Sequence, residues 1–435
     1  MSERSLDPQR PSVPVFEPRT ASSPGPTAPP DPQSWIDRFA TITPRLGQGR
    51  GDGDPLVPPI VASTTFCRDG IESDARHKYS RESNPTVAAL EAALGELENA
   101  PPALAFATGL AAEATLFQAF LKAGDHVVCS RAVYGGTTRL LEQVYSPFDV
   151  SVTFVDTTDV AAVEAALEPN TRLVFLETPA NPTLDLTDIA AISEIAREAG
   201  ALVAVDNTFL TPLLQRPLEL GADFSIYSTT KFLEGHSAAL GGAIITRDRA
   251  HLDHLAFVRK CIGNIQSPFN AWVTLQGLKT LPVRFARQCA TADTVARALA
   301  ERDDIAHVYY PSLATDEAAA IAERQHLGAH GAVVTFELAG GLAAARALLE
   351  RVKLCRLVEH VGSVETLLTH PATMTHGGVS PEQRRASGIS DTLLRLSVGL
   401  EPAAAILNDL FPANATVASA SPSVSAREEV GCVDA

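Results

Sequence analysis

Between residues 103 and 246 the chain keeps alternating a short apolar run with a helical stretch. The runs fall at 103–107, 126–129, 150–155, 172–176, 201–205, 224–227 and 242–246, and helical periodicity fills 109–122, 135–145, 159–167 and 187–199. Runs this short and this uniformly apolar are strands buried on both faces. Alternation with helices makes the sheet mostly parallel, with helices on either side. An α/β fold of this kind places its ligands beyond the carboxyl ends of the strands. The residues just after each run are therefore where chemistry is sought.

Five of those ends carry chemically useful groups. Phe106-Ala107-Thr108-Gly109-Leu110 leads a strand into a helix through a glycine, and backbone N–H groups at such a helix start can hold a phosphate. Alone, a glycine there reads more readily as a tight turn. Tyr134, in Ser130-Arg131-Ala132-Val133-Tyr134-Gly135-Gly136, reads equally as a core tyrosine and as a ring stacked on a flat ligand. In Glu177-Thr178-Pro179-Ala180-Asn181-Pro182-Thr183 two proline-containing turns hold Asn181 at the sheet edge, as a turn residue or as an amide for a ligand oxygen. The strand at 201–205 runs into Asp206, an acid that needs a cationic partner if buried, such as a protonated pyridine nitrogen. After the strand at 224–227 come Ser228, Thr229, Thr230 and Lys231. A lysine at a strand mouth beside hydroxyls suits capture of a phosphate-bearing aldehyde, although a solvated surface lysine is the commoner case.

The flanks complete the organisation. Residues 1–33 are rich in Pro, Ser and charge and read as disordered. Residues 34–85 read as an N-terminal arm with a short helix, followed by a helix from Thr86 to about Glu98 that opens at Asn84-Pro85. Residues 86–300 form the main ligand-binding domain and end in long helices. Strands near 305–309, 332–338, 364–368 and 393–398, with helices at 316–325, 342–351 and 401–410, make 301–411 a smaller C-terminal α+β domain. Residues 412–435 read as a loose tail. A formal charge of −16 without a basic stripe argues against nucleic-acid binding. No apolar run reaches the roughly 18 residues of a membrane span, and no secretory leader is expected. Cysteines at 67, 129, 261, 289, 355 and 432 show no metal-ligand spacing and read as reduced thiols of a cytoplasmic protein.

Taken together in chain order, Tyr79-Ser80-Arg81 with Asn84-Pro85-Thr86, Thr108-Gly109-Leu110, Tyr134-Gly135-Gly136, Glu177 to Thr183, Asp206-Asn207-Thr208, Ser228 to Lys231 and Arg395 to Glu401 resemble the Cys/Met-metabolism (trans-sulfuration) family of pyridoxal 5′-phosphate (PLP) enzymes, over about residues 40–411. The resemblance implies an aspartate-aminotransferase-type (fold type I) architecture. It implies that Lys231 anchors the cofactor and carries protons, Asp206 pairs with the pyridine nitrogen and Tyr134 stacks on the ring. Gly109, Leu110, Ser228 and Thr230 would hold the phosphate, Asn181 the phenolic oxygen and Arg395 the substrate α-carboxylate. Tyr79 and Arg81 would reach the phosphate of a neighbouring subunit, making the protein a homo-oligomer, at least a dimer and expected to be a tetramer.

The implied reaction is γ-elimination or γ-replacement on a sulfur-containing or O-acylated amino acid. Cystathionine γ-lyase is the first expectation and cystathionine γ-synthase the close alternative. O-acylhomoserine sulfhydrylase, methionine γ-lyase and a non-catalytic PLP-binding regulator also remain. Gly136 stands where methionine γ-lyases typically carry cysteine. Arg139 and Glu359 match substrate-side positions of cystathionine enzymes. His360 replaces a serine that commonly helps seat the α-carboxylate, and Gln276 and Gln288 also depart from the family pattern.

Overall fold

The structure, a computed structural model, describes residues 31–49 and 51–412. The stretch read as disordered falls outside the described residues up to residue 30, and so does the tail beyond 412. Residues 31–33 depart from that reading. The Asp31 carboxylate accepts the Ser34 N–H at 2.9 Å and starts a helix, Pro32–Ile42, with proline in its first turn. That helix is fixed by its aromatic face. Trp35 and Phe39 are buried, and the Arg216 guanidinium lies 3.6 Å from the Trp35 ring centre.

Seven strands make the large sheet: β1 (Leu104–Phe106), β2 (His126–Ser130), β3 (Ser151–Val155), β4 (Thr171–Glu177), β5 (Leu202–Asp206), β6 (Phe224–Tyr227) and β7 (Gly242–Ile245). Their order is β1-β7-β6-β5-β4-β2-β3, and only β7 runs antiparallel to its neighbours. The carboxyl ends of β1, β2, β4, β5 and β6 thus share one edge. Side chains alternate between two apolar layers. Val127, Cys129, Leu173 and Phe175 pack with Leu116 and Phe117 of helix Gly109–Phe120 on one face. Val128, Val174 and Leu176 pack with Ile189 and Ile192 of helix Ile189–Glu198 on the other. Burial on both faces explains why these strands read as continuous apolar runs rather than as alternating ones.

The C-terminal part is built on a second sheet of β8 (Ile305–Tyr309), β9 (Val333–Leu338), β10 (Arg356–Leu357), β11 (Leu367–Thr369) and β12 (Leu393–Ser397), in the order β10-β11-β12-β9-β8. The strand expected near 364–368 is shifted to β11. Thr366 is tied instead to Glu401, which accepts from its N–H at 2.9 Å and from its hydroxyl at 2.7 Å, and this delays strand pairing. The 20-residue helix Leu281–Ala300 packs against this sheet through Phe285, Ala292 and Val295. No helix among the described residues is long and apolar enough to cross a membrane.

Candidate active site

The shared edge of the large sheet opens into a cavity of about 260 Å³, and each strand end contributes to it. At the end of β1, the Thr108 hydroxyl accepts the Ala111 N–H at 3.0 Å and caps helix Gly109–Phe120. The first-turn N–H groups of Gly109 and Leu110 have no carbonyl partner within the helix. Facing them is Ser228. A Cβ built on Gly109 would lie 3.0 Å from the Ser228 Cβ, so a side chain there would fill the hollow between helix start and serine. Ser228 is held by its N–H, which donates to the Thr208 hydroxyl at 2.8 Å.

Asp206 ends β5 inside the cavity, and its Oδ1 accepts the Thr208 N–H at 2.9 Å. Burial raises its carboxyl above the usual carboxylate range, while the Thr208 bonds and the charge of Lys231 oppose that rise. Lys231 follows β6. Burial, with Arg395 adding repulsion, brings its amine down to about 8, and Asp206 works the other way. Near neutral pH a useful fraction of the amine is therefore unprotonated and nucleophilic.

Arg395, on β12, crosses from the second sheet and is 2 % exposed. It donates through Nη1 to Asn181 Oδ1 at 2.7 Å, and through Nη2 to the His360 carbonyl at 3.0 Å and to Thr369 Oγ1 at 3.2 Å. Its Nε is buried without a partner among the described residues. Tyr134 and Asn181 are set by a single carboxylate: Glu177 accepts the Tyr134 N–H at 2.8 Å and the Asn181 N–H at 3.0 Å. Glu177 appears in the sequence pattern, but its role as a clamp between two loops depends on a distance no spacing reveals.

The cavity wall unites Lys231, Asp206, Tyr134, Asn181, Gly109, Leu110, Ser228, Thr230, Arg395 and Glu359. Four other candidates lie off that wall. Tyr79 and Arg81 are exposed, and Arg81 donates to the Lys260 carbonyl at 2.7 Å. Arg139 is half-buried beside Gly135 and Gly378. His360 lines a neighbouring cavity of about 620 Å³ and touches the lysine itself, with Nδ1 3.1 Å from Lys231 Nζ. The His360 side chain meets the lysine, and its carbonyl meets Arg395.

Sequence reasoning missed Glu113. It is buried on the cavity wall with Oε2 unpartnered, and burial together with the neighbouring Asp206 lifts its carboxyl to about 8. The available signal was Glu113 as the one charged residue in the helical run 109–120.

The residues present fit PLP. The hollow between Gly109 and Ser228 could hold its phosphate, Asp206 its pyridine nitrogen and Lys231 its aldehyde carbon, and the open polar atoms of Glu113 and Arg395 mark a cavity shaped for a polar occupant. Comparison with known proteins agrees. The family model described as "Cys/Met metabolism PLP-dependent enzyme" matches residues 41–414. The chain is 42% identical over 353 residues to the cystathionine gamma-synthase of Mycobacterium tuberculosis, covering 81% of this chain and 90% of that protein. It is 40% identical over 366 residues to the L-methionine gamma-lyase of Fusobacterium nucleatum, covering 82% and 92%. Among solved structures, the cystathionine gamma synthase of Xanthomonas oryzae in complex with aminoacrylate and cysteine superposes with a TM-score of 0.83 at 40% identity, covering 86% of this chain and 96% of that one. The chain belongs to the Cys/Met metabolism family of PLP-dependent enzymes, carbon–sulfur lyases and transferases of the trans-sulfuration type on the aspartate-aminotransferase-type fold.

Proposed function

We propose that this protein acts at the γ-carbon of cystathionine, with cleavage as the first reading. The observation that carries it is the convergence of Lys231, Asp206 and Arg395 on one cavity whose wall also includes the exposed carboxylate of Glu359. Bound there, PLP supplies an electron-withdrawing ring that makes the protons on Cα and then Cβ of a linked amino acid acidic. Arg395 would receive the α-carboxylate and so orient the substrate's Cα–H bond within the cavity. The carboxylate of Asp206 favours a proton on the pyridine nitrogen. Lys231 Nζ, neutral in part, takes the Cα proton and returns one along the chain as the γ-sulfur leaves. Glu359 offers an anion to the distal ammonium of cystathionine, a group that methionine lacks. Arg139, next to the wall, would meet its distal carboxylate.

The synthase direction is the second reading, favoured by the 42% identity to a relative named cystathionine gamma-synthase. We further infer a homo-oligomer in which Tyr79 and Arg81 serve a neighbouring copy, since both lie on the exterior in a segment that also exposes Leu56, Val57, Ile60 and Ile71.

A substrate panel tests the assignment. Holoenzyme is offered cystathionine, methionine, and O-succinylhomoserine with cysteine or with sulfide, and 2-oxo acid, ammonia and new thioether are measured. Cystathionine should be consumed fastest. Faster turnover of methionine, or of O-succinylhomoserine with sulfide, would overturn the cystathionine assignment, and turnover of nothing would favour the regulator. In parallel, Lys231→Ala should lose the yellow absorbance of the holoenzyme and at least roughly a thousandfold in rate.

A further inference from the structure

Among the described residues the His360 ring makes one polar contact, and that contact is with the central amine. Nδ1 lies 3.1 Å from Lys231 Nζ, and Nε2 is buried with no partner among the described residues. The loop carrying His360 is built onto the lysine's own backbone. Gly362 takes φ +89°, a conformation that favours glycine, and a Cβ there would lie 2.5 Å from the Phe232 nitrogen and 2.8 Å from the Lys231 carbonyl carbon. Its N–H donates to Ser397 Oγ at 2.8 Å, and Val364 N–H donates to the Gly235 carbonyl at 2.9 Å. The His360 carbonyl accepts from Arg395. Both ends of the residue are therefore anchored, one on the arginine and one on the lysine segment.

The charged groups that bear on the imidazole are Lys231 and Arg395, which disfavour its protonation, and Glu365, which favours it; Arg356 shares the second cavity. Burial and the two cations bring the ring down to about 4, so at working pH it is neutral. When Lys231 is an ammonium its nitrogen can only donate, so a neutral ring facing it at 3.1 Å accepts through Nδ1 and carries its proton on Nε2.

We propose that His360 is the positioning residue of Lys231: Nδ1 holds one hydrogen of the lysine amine and so turns the rest of that nitrogen towards the cofactor cavity. The proposal rests on the family reading of Lys231 as cofactor anchor. A neutral acceptor also stabilises the ammonium more than the amine, so His360 opposes the downward pull of burial on Lys231. Removing the acceptor should let the lysine titrate at lower pH. Loss of a single hydrogen bond to a charged group corresponds to about one pH unit, or about tenfold in the amine-to-ammonium ratio.

The test measures PLP capture by full-length protein stripped of cofactor, following the rise of yellow absorbance against pH. The second-order rate should climb as Lys231 deprotonates. His360→Leu should move the midpoint down by about one pH unit relative to the unaltered protein. His360→Gln, whose amide oxygen can accept the same hydrogen, should restore most of it. Because free PLP is identical in every arm, its own titration cancels in the comparison. An unchanged midpoint in His360→Leu would overturn the proposal. So would equal shifts in the Leu and Gln variants, which would signal a merely structural role; if His360→Leu does not fold, the Gln variant must match the unaltered midpoint for the proposal to stand. Failure of the underlying family reading looks different, namely capture that persists in Lys231→Ala.

Discussion

Glu113 shows how a single side chain can tie the cofactor cavity to the stability of the whole fold. Its carboxyl is raised from 4.5 to about 8 by burial and by Asp206. Between those values the folded chain holds a proton that the unfolded chain has released. The stability it contributes is thus full below about pH 4.5 and is lost as pH climbs through 8. In cofactor-free protein, Glu113→Gln should blunt the fall in unfolding temperature between pH 6 and pH 9, an effect on the order of a few kcal/mol measurable by calorimetry. An unaltered fall would refute the assignment of a buried, titrating acid. Gly136 makes a steric point at the same scale. A Cβ there would lie 2.4 Å from Tyr134 Cε1, so Gly136→Ala should tilt that ring and weaken PLP retention roughly tenfold in equilibrium dialysis. At this scale much was legible: Lys231, Asp206 and Asn181 stand out by their places in the strand order, and Arg395 by the family resemblance. Glu113, Glu177 and the contact of His360 with Lys231 do not, because each depends on two loops meeting in space.

Among the elements, helices Pro85–Leu97 and Arg249–Ile262 are locked to the edge strand β1 by a buried charge pair. Glu91 Oε1 takes both the Ala105 N–H and an Arg259 N–H, and the same guanidinium nitrogen donates to the Ala105 carbonyl at 2.8 Å. Removing one partner leaves the other charge buried and alone. Arg259→Met should cost about 3–5 kcal/mol and lower the unfolding temperature, while a paired Glu91→Gln with Arg259→Met should recover part of the loss. Since β1 leads directly into the phosphate-side turn at Thr108 and Gly109, the single variant should also retain PLP less well. Strand and helix positions in the large sheet followed from apolar periodicity, because burial on both faces writes itself into consecutive residues. The second sheet was less legible. The two-residue strand β10 carries no periodic signal, and β11 starts later than expected because Thr366 is held by Glu401.

At the level of the whole molecule, one chain leaves Tyr79 and Arg81 outside its own cavity, with the Arg81 guanidinium 5.5 Å from the Tyr79 ring centre. If these residues complete a neighbour's site, Arg81→Ala and Lys231→Ala should each be nearly inactive alone. A mixture refolded together should regain activity at about a quarter of the sites or fewer, read as turnover per subunit. No regain would confine each site to one chain. The overall α/β class was readable because the strand–helix alternation spans so much of the chain, whereas how the C-terminal sheet meets the large one was not. That junction runs through Gly362, whose missing side chain lets the loop lie on the backbone of Lys231 and Phe232. Anyone recombining this enzyme with a relative therefore inherits a hidden crossover rule. A C-terminal part transplanted at residue 300 must keep glycine at the position of Gly362, because any side chain there would run into the backbone of Lys231 and Phe232.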